Sequence, residues 1–215
     1  LAKGDVIGAE KCFQSILNKY PKNIRALEGL KKIRQNSSPV EVNFNQCVKK
    51  LIEYYNARQY SELILFGEKA ALQFPEKVII KNIIGAGYTA LNQFSNAINH
   101  YKAALKLEPK NAEVLNNLGL TFKAIGDFKK ANECFENSIS IKPNFAEAFN
   151  NMALSLKEER KFEKAIISLE KAIALKKNYA EAYYNLGNVY TLLGELEKSI
   201  NMFTAAIDIK SDYFD

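Results

Sequence analysis

A period of 34 residues runs through this chain of 215 residues and constrains its fold more than any other feature. Pro75, Pro109 and Pro143 are each 34 residues apart. The same spacing recurs in a series of large apolar residues, Tyr60, Phe94, Phe128, Phe162 and Leu196. Such a period is typical of stacked helical hairpins, because each hairpin has an apolar face that only its neighbours can bury. The chain is therefore predicted to be an all-α solenoid.

Placing the prolines at position 32 divides the chain into five units, 44–77, 78–111, 112–145, 146–179 and 180–213. In each unit, apolar residues recur at helical spacing in two blocks that a short polar turn separates. Gly126 and Gly194 in this turn suit the end of a helix, because glycine adopts left-handed dihedrals at little cost. The prolines are expected to end the second helix, although Lys177 replaces proline in one unit.

Fixed positions within the units carry a resemblance to a known family. Positions 4, 7, 8, 11, 20, 24 and 32 of unit 112–145 hold Leu115, Leu118, Gly119, Phe122, Ala131, Phe135 and Pro143. The units 78–111, 146–179 and 180–213 match most of these positions in the same frame. This pattern resembles the tetratricopeptide repeat (TPR) family. The resemblance implies a right-handed superhelical α-solenoid of stacked antiparallel helix pairs.

The first unit and the residues before it fit this pattern less well. Unit 44–77 has Lys50 and Leu51 where Leu-Gly is expected, and Gly67 where an aromatic residue is expected. We interpret it as a genuine but divergent repeat. Residues 1–43 are predicted to be a degenerate partial TPR with helices over 5–20 and 24–34 and a linker over 35–39. The remainder, 44–215, is predicted to be an array of about five repeats.

Charge and hydropathy argue against two classes of partner, nucleic acid and membranes, although a local basic patch near the start of the chain stays open. The net charge is +6, and residues 1–43 contribute +4 of it. A nucleic-acid groove would carry basic residues along its length, so nucleic acid is not an expected partner. The most apolar stretch, Val78 to Ala90, contains Lys81 and Asn82 and is too short to span a membrane. We therefore expect no association with a membrane.

The three cysteines indicate the chemical environment of the chain. Cys12, Cys47 and Cys134 are an odd number at wide spacing, which is neither a disulfide framework nor a zinc motif. Each lies at an apolar helical position, so we expect small buried side chains. This usage favours a reducing, cytoplasmic location.

No residue pattern predicts an enzyme or a cofactor. His100 is the only histidine, and a structural role is expected for it. The adjacent carboxylates of Glu158 and Glu159 fall on a predicted solvated helix surface and do not make an acid/base site. No Cys/His cluster has the spacing of a metal site. The chain is expected to be non-catalytic and to hold neither cofactor nor metal.

Asparagines recur at inward positions of the first helix in the four units from 78–111 onwards. The resemblance implies that first helices line the concave side. We predict a groove that binds a polypeptide, formed by Asn82, Asn116, Asn117, Lys123, Asn150, Asn151, Lys157, Tyr184, Asn185 and Asn188. An amide can donate to and accept from a peptide bond, so a regular row could hold an extended chain by its backbone. Alternatively, the asparagines were copied with the repeat and only face water.

This row is similar to the one in the TPR region of O-GlcNAc transferases, which holds polypeptides by their backbones, and in bacterial TPR proteins. Tyr55 and Tyr184 also point inward in this frame, either as binding anchors or as ordinary packing. Replacing Asn117, Asn151 and Asn185 with alanine is expected to leave the fold intact, because these residues are predicted to lie outside the core.

The predicted function is that of a protein-interaction scaffold that binds a polypeptide segment in the concave groove. Two alternatives stay open. The chain could assemble with copies of itself through heterologous contacts, or it could recruit substrates for a larger transferase whose catalytic domain is not in this chain. The sequence does not decide between an extended and a helical ligand.

Overall fold

The computed structural model describes residues 13, 15, 16, 25–29 and 43–210. Residues 43–210 contain ten α-helices and no strand, which confirms the predicted all-α class. The helices are α1 (Phe44–Asn56), α2 (Tyr60–Gln73), α3 (Val78–Ala90), α4 (Phe94–Leu107), α5 (Ala112–Ala124), α6 (Phe128–Ile141), α7 (Ala146–Glu158), α8 (Phe162–Leu175), α9 (Ala180–Leu192) and α10 (Leu196–Ile209).

The chain divides into two compact units, 1–46 and 47–215. In the first unit, the described residues 13, 15, 16 and 25–29 are helical, and the ring of Phe13 lies directly against Gly29. Cys12, the predicted linker and the other residues of the two predicted helices lie outside the described residues. The predicted boundary after residue 43 stays a prediction.

In the second unit, each helix from α2 to α9 packs against the next helix along the chain. The first helices α3, α5, α7 and α9 also contact one another in succession. This arrangement is an α-solenoid of stacked helix pairs, as the period predicted. These four helices therefore form one continuous face, which we call the first-helix face. Ile52 and Tyr55 of α1 adjoin it, because they line one pocket with residues of α3 and α5.

Close approach of the paired helices depends on a small residue at position 8 and a large one at position 24. A Cβ atom added to Gly119 would lie 2.7 Å from a ring carbon of Phe135, which is fully buried. Gly85 meets Tyr101, and Gly187 meets Phe203, in the same way. The ring occupies the space that a side chain at position 8 would need, so the two backbones come close together.

The divergent first unit keeps this packing by exchanging the large and small residues. Leu51 stands at position 8 and Gly67 at position 24. A Cβ atom on Gly67 would lie 3.3 Å from Leu51 Cδ2 and 2.6 Å from a side-chain carbon of Ile84. Unit 146–179 shows an intermediate solution, with Ala153 and Leu169 in one buried cluster. The departure from the repeat pattern is thus a compensated change of volume.

The turn between the paired helices requires a positive φ at position 15 in every unit. The residues with this conformation are Arg58, Asn92, Gly126, Arg160 and Gly194, with φ between 56° and 81°. From the sequence, only the two glycines were predicted to adopt this conformation. In the other three units, Arg58, Asn92 and Arg160 adopt this left-handed conformation. It costs free energy because the Cβ atom of a residue other than glycine is crowded there.

The second helices end at the same position whether or not a proline follows. Helix α6 ends at Ile141, two residues before Pro143, whereas α8 ends at Leu175 although Lys177 replaces the proline. In α8, the last backbone hydrogen bond runs from the Lys176 N–H to the Ala172 carbonyl and is 3.0 Å long. The expectation that proline ends these helices is therefore incomplete, since α8 stops at the equivalent residue without one.

The described cysteines are buried and free, as predicted for Cys47 and Cys134. Burial raises the pKa of both thiols, that of Cys134 to about 11. None of the helices in the described part of the chain combines the length and the apolar character that crossing a membrane requires.

Replacing Gly119 with alanine tests the packing between positions 8 and 24. Helix propensity alone favours alanine by about 1 kcal/mol. The added Cβ would collide with the buried Phe135 ring, and overpacking costs about 1–3 kcal/mol. We expect a net loss in the free energy of unfolding measured with urea. Combining Gly119→Ala with Phe135→Leu, the pair of unit 146–179, should show favourable coupling; additive losses would contradict this account.

Replacing Arg160 with glycine tests the strain in the turn. Because Arg160 has a φ of 60°, glycine should raise the free energy of unfolding by about 0.5–1 kcal/mol. The matched control is Lys164→Gly, inside α8, which should lower it by about 1 kcal/mol. If both glycines destabilise the protein equally, the turn is not strained.

Candidate peptide-binding face

Six of the predicted asparagines form three hydrogen bonds that connect the first helices of successive units. In each pair, the amide Nδ2 at position 6 donates to the Oδ1 at position 5 of the preceding unit. The N–O distances are 3.0, 3.0 and 2.9 Å in the pairs Asn117–Asn82, Asn151–Asn116 and Asn185–Asn150. The predicted row of amides therefore exists, but its members bind one another.

Helix geometry explains why both positions are needed. Adjacent residues on an α-helix point about 100° apart, so position 5 turns towards the following unit and position 6 towards the preceding one. Asn150 uses its Nδ2 as well, donating to Glu181 Oε1 at 3.2 Å. This structural role of the asparagines was not predicted from the sequence. The two asparagines of each pair are 35 residues apart, one more than the period of 34. This spacing was the signal in the sequence that could have indicated the pairing.

The amides differ in their exposure along the face. Asn116, Asn150 and Asn185 are buried, whereas Asn82 and Asn117 are half-buried. The expectation that alanine at three of these positions touches no core residue is wrong, because Asn185 is only 9% exposed. Its replacement would also leave Asn150 Oδ1 without a donor, and an unsatisfied buried polar atom costs about 1–3 kcal/mol.

A pocket of about 240 Å³ opens on the first-helix face beside the most accessible amide pair. Its lining residues come from α1, α3 and α5 and are Ile52, Tyr55, Asn82, Ile83, Ala86 and Asn117. The Asn82–Asn117 hydrogen bond uses one donor and one acceptor. Within the described residues, Asn82 Nδ2 and Asn117 Oδ1 have no other partner, so one donor and one acceptor remain for a ligand.

The lysines predicted for the groove lie among charges of the first helices. Burial lowers the pKa of Lys123, the Lys157 ammonium lowers it further, and the carboxylates of Glu158 and Glu181 partly offset these effects. Lys157 forms an ion pair with Glu158 at 3.3 Å, and its side chain is 26% exposed. Among the described residues, no carboxylate lies within 4.0 Å of the Lys123 ammonium.

The two candidate aromatic anchors have different surroundings. The Tyr184 ring packs against Phe203, with ring centroids 5.6 Å apart. Tyr55 is 40% exposed, contacts Tyr60 edge-on and lines the pocket. Burial, followed by the neighbouring Tyr60, raises the pKa of Tyr55. Packing thus accounts for Tyr184, whereas Tyr55 keeps exposed apolar surface at the pocket. The remaining predicted residue, Asn188, is half-buried on α9.

The single histidine has a structural environment, as predicted. His100 Nε2 lies 3.0 Å from Glu68 Oε1, which also accepts a hydrogen bond from the Tyr88 hydroxyl at 3.0 Å. The Tyr88 and His100 rings are stacked with centroids 5.3 Å apart. Within the described residues, no group of three or more His, Cys, Asp or Glu side chains is placed to hold a metal ion.

Comparison with solved structures shows the same fold in other proteins. MamA is 21% identical, with a TM-score of 0.63 over 74% of this chain and 93% of MamA. The pilF protein of Pseudomonas aeruginosa is 16% identical, with a TM-score of 0.70 over 77% of this chain and 75% of that protein. YrrB, a TPR protein with an unusual peptide-binding site, is 18% identical, with a TM-score of 0.58 over 85% of this chain and 93% of YrrB.

Models of the TPR family match four ranges of the chain. A TPR repeat model matches residues 85–126 and 156–194, and tetratricopeptide repeat models match 112–145 and 180–213. The last two ranges coincide with units defined from the proline spacing. No curated protein matches the chain. Since the matched residues together make up more than half of the sequence, the chain belongs to the tetratricopeptide repeat family.

Proposed function

We propose that this chain binds a polypeptide segment along its first-helix face, as a scaffold or as the substrate-recruiting arm of a larger protein. TPR repeats generally mediate protein–protein interaction. The observation that carries the proposal is the Asn82–Asn117 pair, which borders an apolar pocket with a donor and an acceptor unused.

The chemistry of this pair fits a peptide backbone. A peptide unit offers a carbonyl that can accept from Asn82 Nδ2 and an N–H that can donate to Asn117 Oδ1. A side chain of the same peptide can then enter the pocket between Ile52 and Ile83. The similar fold of YrrB, with its unusual peptide-binding site, supports a ligand of this class.

Self-assembly is a second candidate, supported by apolar exposure on α10. Ile200 is 64% exposed. Leu196 on the same helix is 63% exposed. An apolar surface of this kind is suited to contact with another copy.

Exchanging one amide pair for alanine tests the peptide-binding proposal. The double variant Asn82→Ala, Asn117→Ala removes the accessible donor and acceptor. We expect it to weaken, by about tenfold, the binding of peptides that the unmodified protein selects from a random phage-displayed library. Affinity would be measured by fluorescence anisotropy with synthetic copies of the selected peptides.

The matched control is the buried pair, Asn150→Ala with Asn185→Ala. This variant should lower the midpoint of thermal unfolding but leave peptide affinity unchanged below that temperature, because the pair is not accessible to a ligand. If the unmodified protein and both double variants bind the peptides with equal affinity, the Asn82–Asn117 pair is not part of the binding site. Failure to select any peptide would overturn the proposed function itself.

Light scattering across a range of protein concentrations tests self-assembly. If copies associate through α10, the mean mass should rise with concentration and return to that of a monomer in the variant Leu196→Lys, Ile200→Lys. Lys129→Leu, on the exposed surface of α6, is a control that adds an apolar side chain elsewhere. A constant monomer mass for the unmodified protein excludes this function.

A further inference from the structure

A second pocket lies between the second helices α6 and α8. Its volume is about 400 Å³, and none of its lining residues is shared with the pocket beside Asn82. Met152 and Leu156 of α7, together with Ile167 and Ser168 of α8, contribute to the lining. Because Leu156 and Ser168 are themselves buried, they form the base of this pocket.

The repeat pattern explains why a pocket exists at this place. In four units, position 11 holds an aromatic ring that is accompanied by a larger side chain than serine at position 23. These pairs are Tyr54–Phe66, Tyr88–His100, Phe122–Cys134 and Tyr190–Met202. In the first two pairs, the ring centroids are 6.0 and 5.3 Å apart. Unit 146–179 has Leu156 and Ser168 instead, and both line the pocket. The pocket therefore corresponds to the ring that this unit lacks.

A lysine at position 19 accompanies the ring in two units and is kept in unit 146–179. Lys130 Nζ lies 5.5 Å from the centre of the Phe122 ring, and Lys198 Nζ lies 5.3 Å from that of Tyr190. Lys164 stands at the same position and lines the pocket, where it has no such ring. Among the residues that the structure describes, no carboxylate forms an ion pair with it. A cation over the face of an aromatic ring is a favourable arrangement.

The rest of the lining favours a neutral aromatic side chain over a charged group. The charged residues of the lining balance one another, since they are Lys129, Lys161, Lys164, Glu133, Glu136 and Glu159. Met152 supplies a thioether, which makes favourable contacts with aromatic rings. Ile167 is 65% exposed at the pocket and adds apolar surface. Aromatic side chains that enter such pockets are typical anchors of protein interfaces.

We propose that the pocket between α6 and α8 binds an aromatic side chain of a partner protein, which takes the place of the ring that unit 146–179 lacks. The bound ring packs on Met152 and Leu156 and lies against the Lys164 ammonium. Its burial removes a large apolar area from water. This site is separate from the first-helix face, and it does not depend on the function proposed for that face.

Peptide display with a depletion step tests the site. The panned protein carries Asn82→Ala and Asn117→Ala, so that the pocket on the first-helix face contributes little. A random phage-displayed library is first depleted on the same protein with Leu156→Tyr and Ser168→Met, which copy the pair of unit 180–213 and fill the pocket. Peptides that the open pocket then retains should share a Phe, Tyr or Trp residue. Recovery of no peptide, or of peptides without a common aromatic residue, overturns the inference.

Synthetic copies of the selected peptides measure the contacts of the ring. Replacing the aromatic residue of a peptide with leucine should weaken its binding to the unmodified protein about tenfold. Lys164→Gln should weaken the binding of the aromatic peptide about three- to fivefold. Lys171→Gln, on the exposed surface of the same helix, is the matched control and should change nothing. Equal effects of the two lysine variants overturn the inference.

Nuclear magnetic resonance of the methionine methyl groups locates the bound ring. The chain has only two methionines, Met152 at the pocket and Met202 on α10. The ring current of a bound aromatic side chain should move the Met152 methyl signal upfield and leave the Met202 signal in place. An unmoved Met152 signal at saturating peptide overturns the inference. Movement of that signal with protein concentration alone identifies a second copy as the occupant, which overturns the proposal of a different partner.

Thermal unfolding separates lost binding from lost folding. The protein with Leu156→Tyr and Ser168→Met should unfold at no lower temperature than the unmodified protein, because it buries additional apolar surface. If this variant is destabilised, Ser168→Met alone takes its place in the depletion step, since it narrows the pocket at one residue. A filled pocket that still binds the selected peptides with full affinity overturns the inference.

Discussion

The fold depends on how closely two helices of one hairpin can approach, and this distance is fixed by the side chains at positions 8 and 24. Gly119 makes room for the buried ring of Phe135, and the remaining units achieve a similar fit with other pairs. The exchange of Leu51 and Gly67 shows that the total volume is constrained, rather than which helix carries the larger side chain. Interiors packed at crystal density allow such an exchange only when both residues change together.

The asparagine pairs impose a second constraint, between hairpins rather than within them. An amide buried between two helices is costly unless it is hydrogen-bonded. Helices α5, α7 and α9 must therefore each bring position 6 next to position 5 of the preceding unit, as Asn185 does with Asn150. Apolar contacts alone would tolerate small shifts of one hairpin on the next, whereas these directional bonds specify one register.

The same amides connect architecture with binding. A hydrogen bond between two asparagines occupies only half of the chemistry that the pair offers, since one donor group and one acceptor remain. Where the pair is buried, as at Asn150, the remaining donor is used within the protein. Where the pair borders a pocket, as at Asn82 and Asn117, it is accessible to a ligand. Burial therefore separates amides that only support the array from amides suited to recognition.

The sequence by itself determined the secondary structure and the order of the hairpins. Spacing between prolines gave the frame of units 112–145 and 180–213, because helical periodicity and turn residues are local properties that repeat along the chain. Local patterns also indicated which residues are small and which are large. They did not reveal the positive φ of Arg160, because its conformation is imposed by the packing of the helices on either side of the turn.

Only the tertiary structure decided what the asparagines do. Their spacing placed them on one side of the first helices, but the bond between Asn117 and Asn82 depends on the rotation and offset of one hairpin against the next. That relation arises from the packed interface and is not contained in a period of 34 residues. Burial of Asn185 and exposure of the pocket beside Asn82 follow from the same three-dimensional stacking.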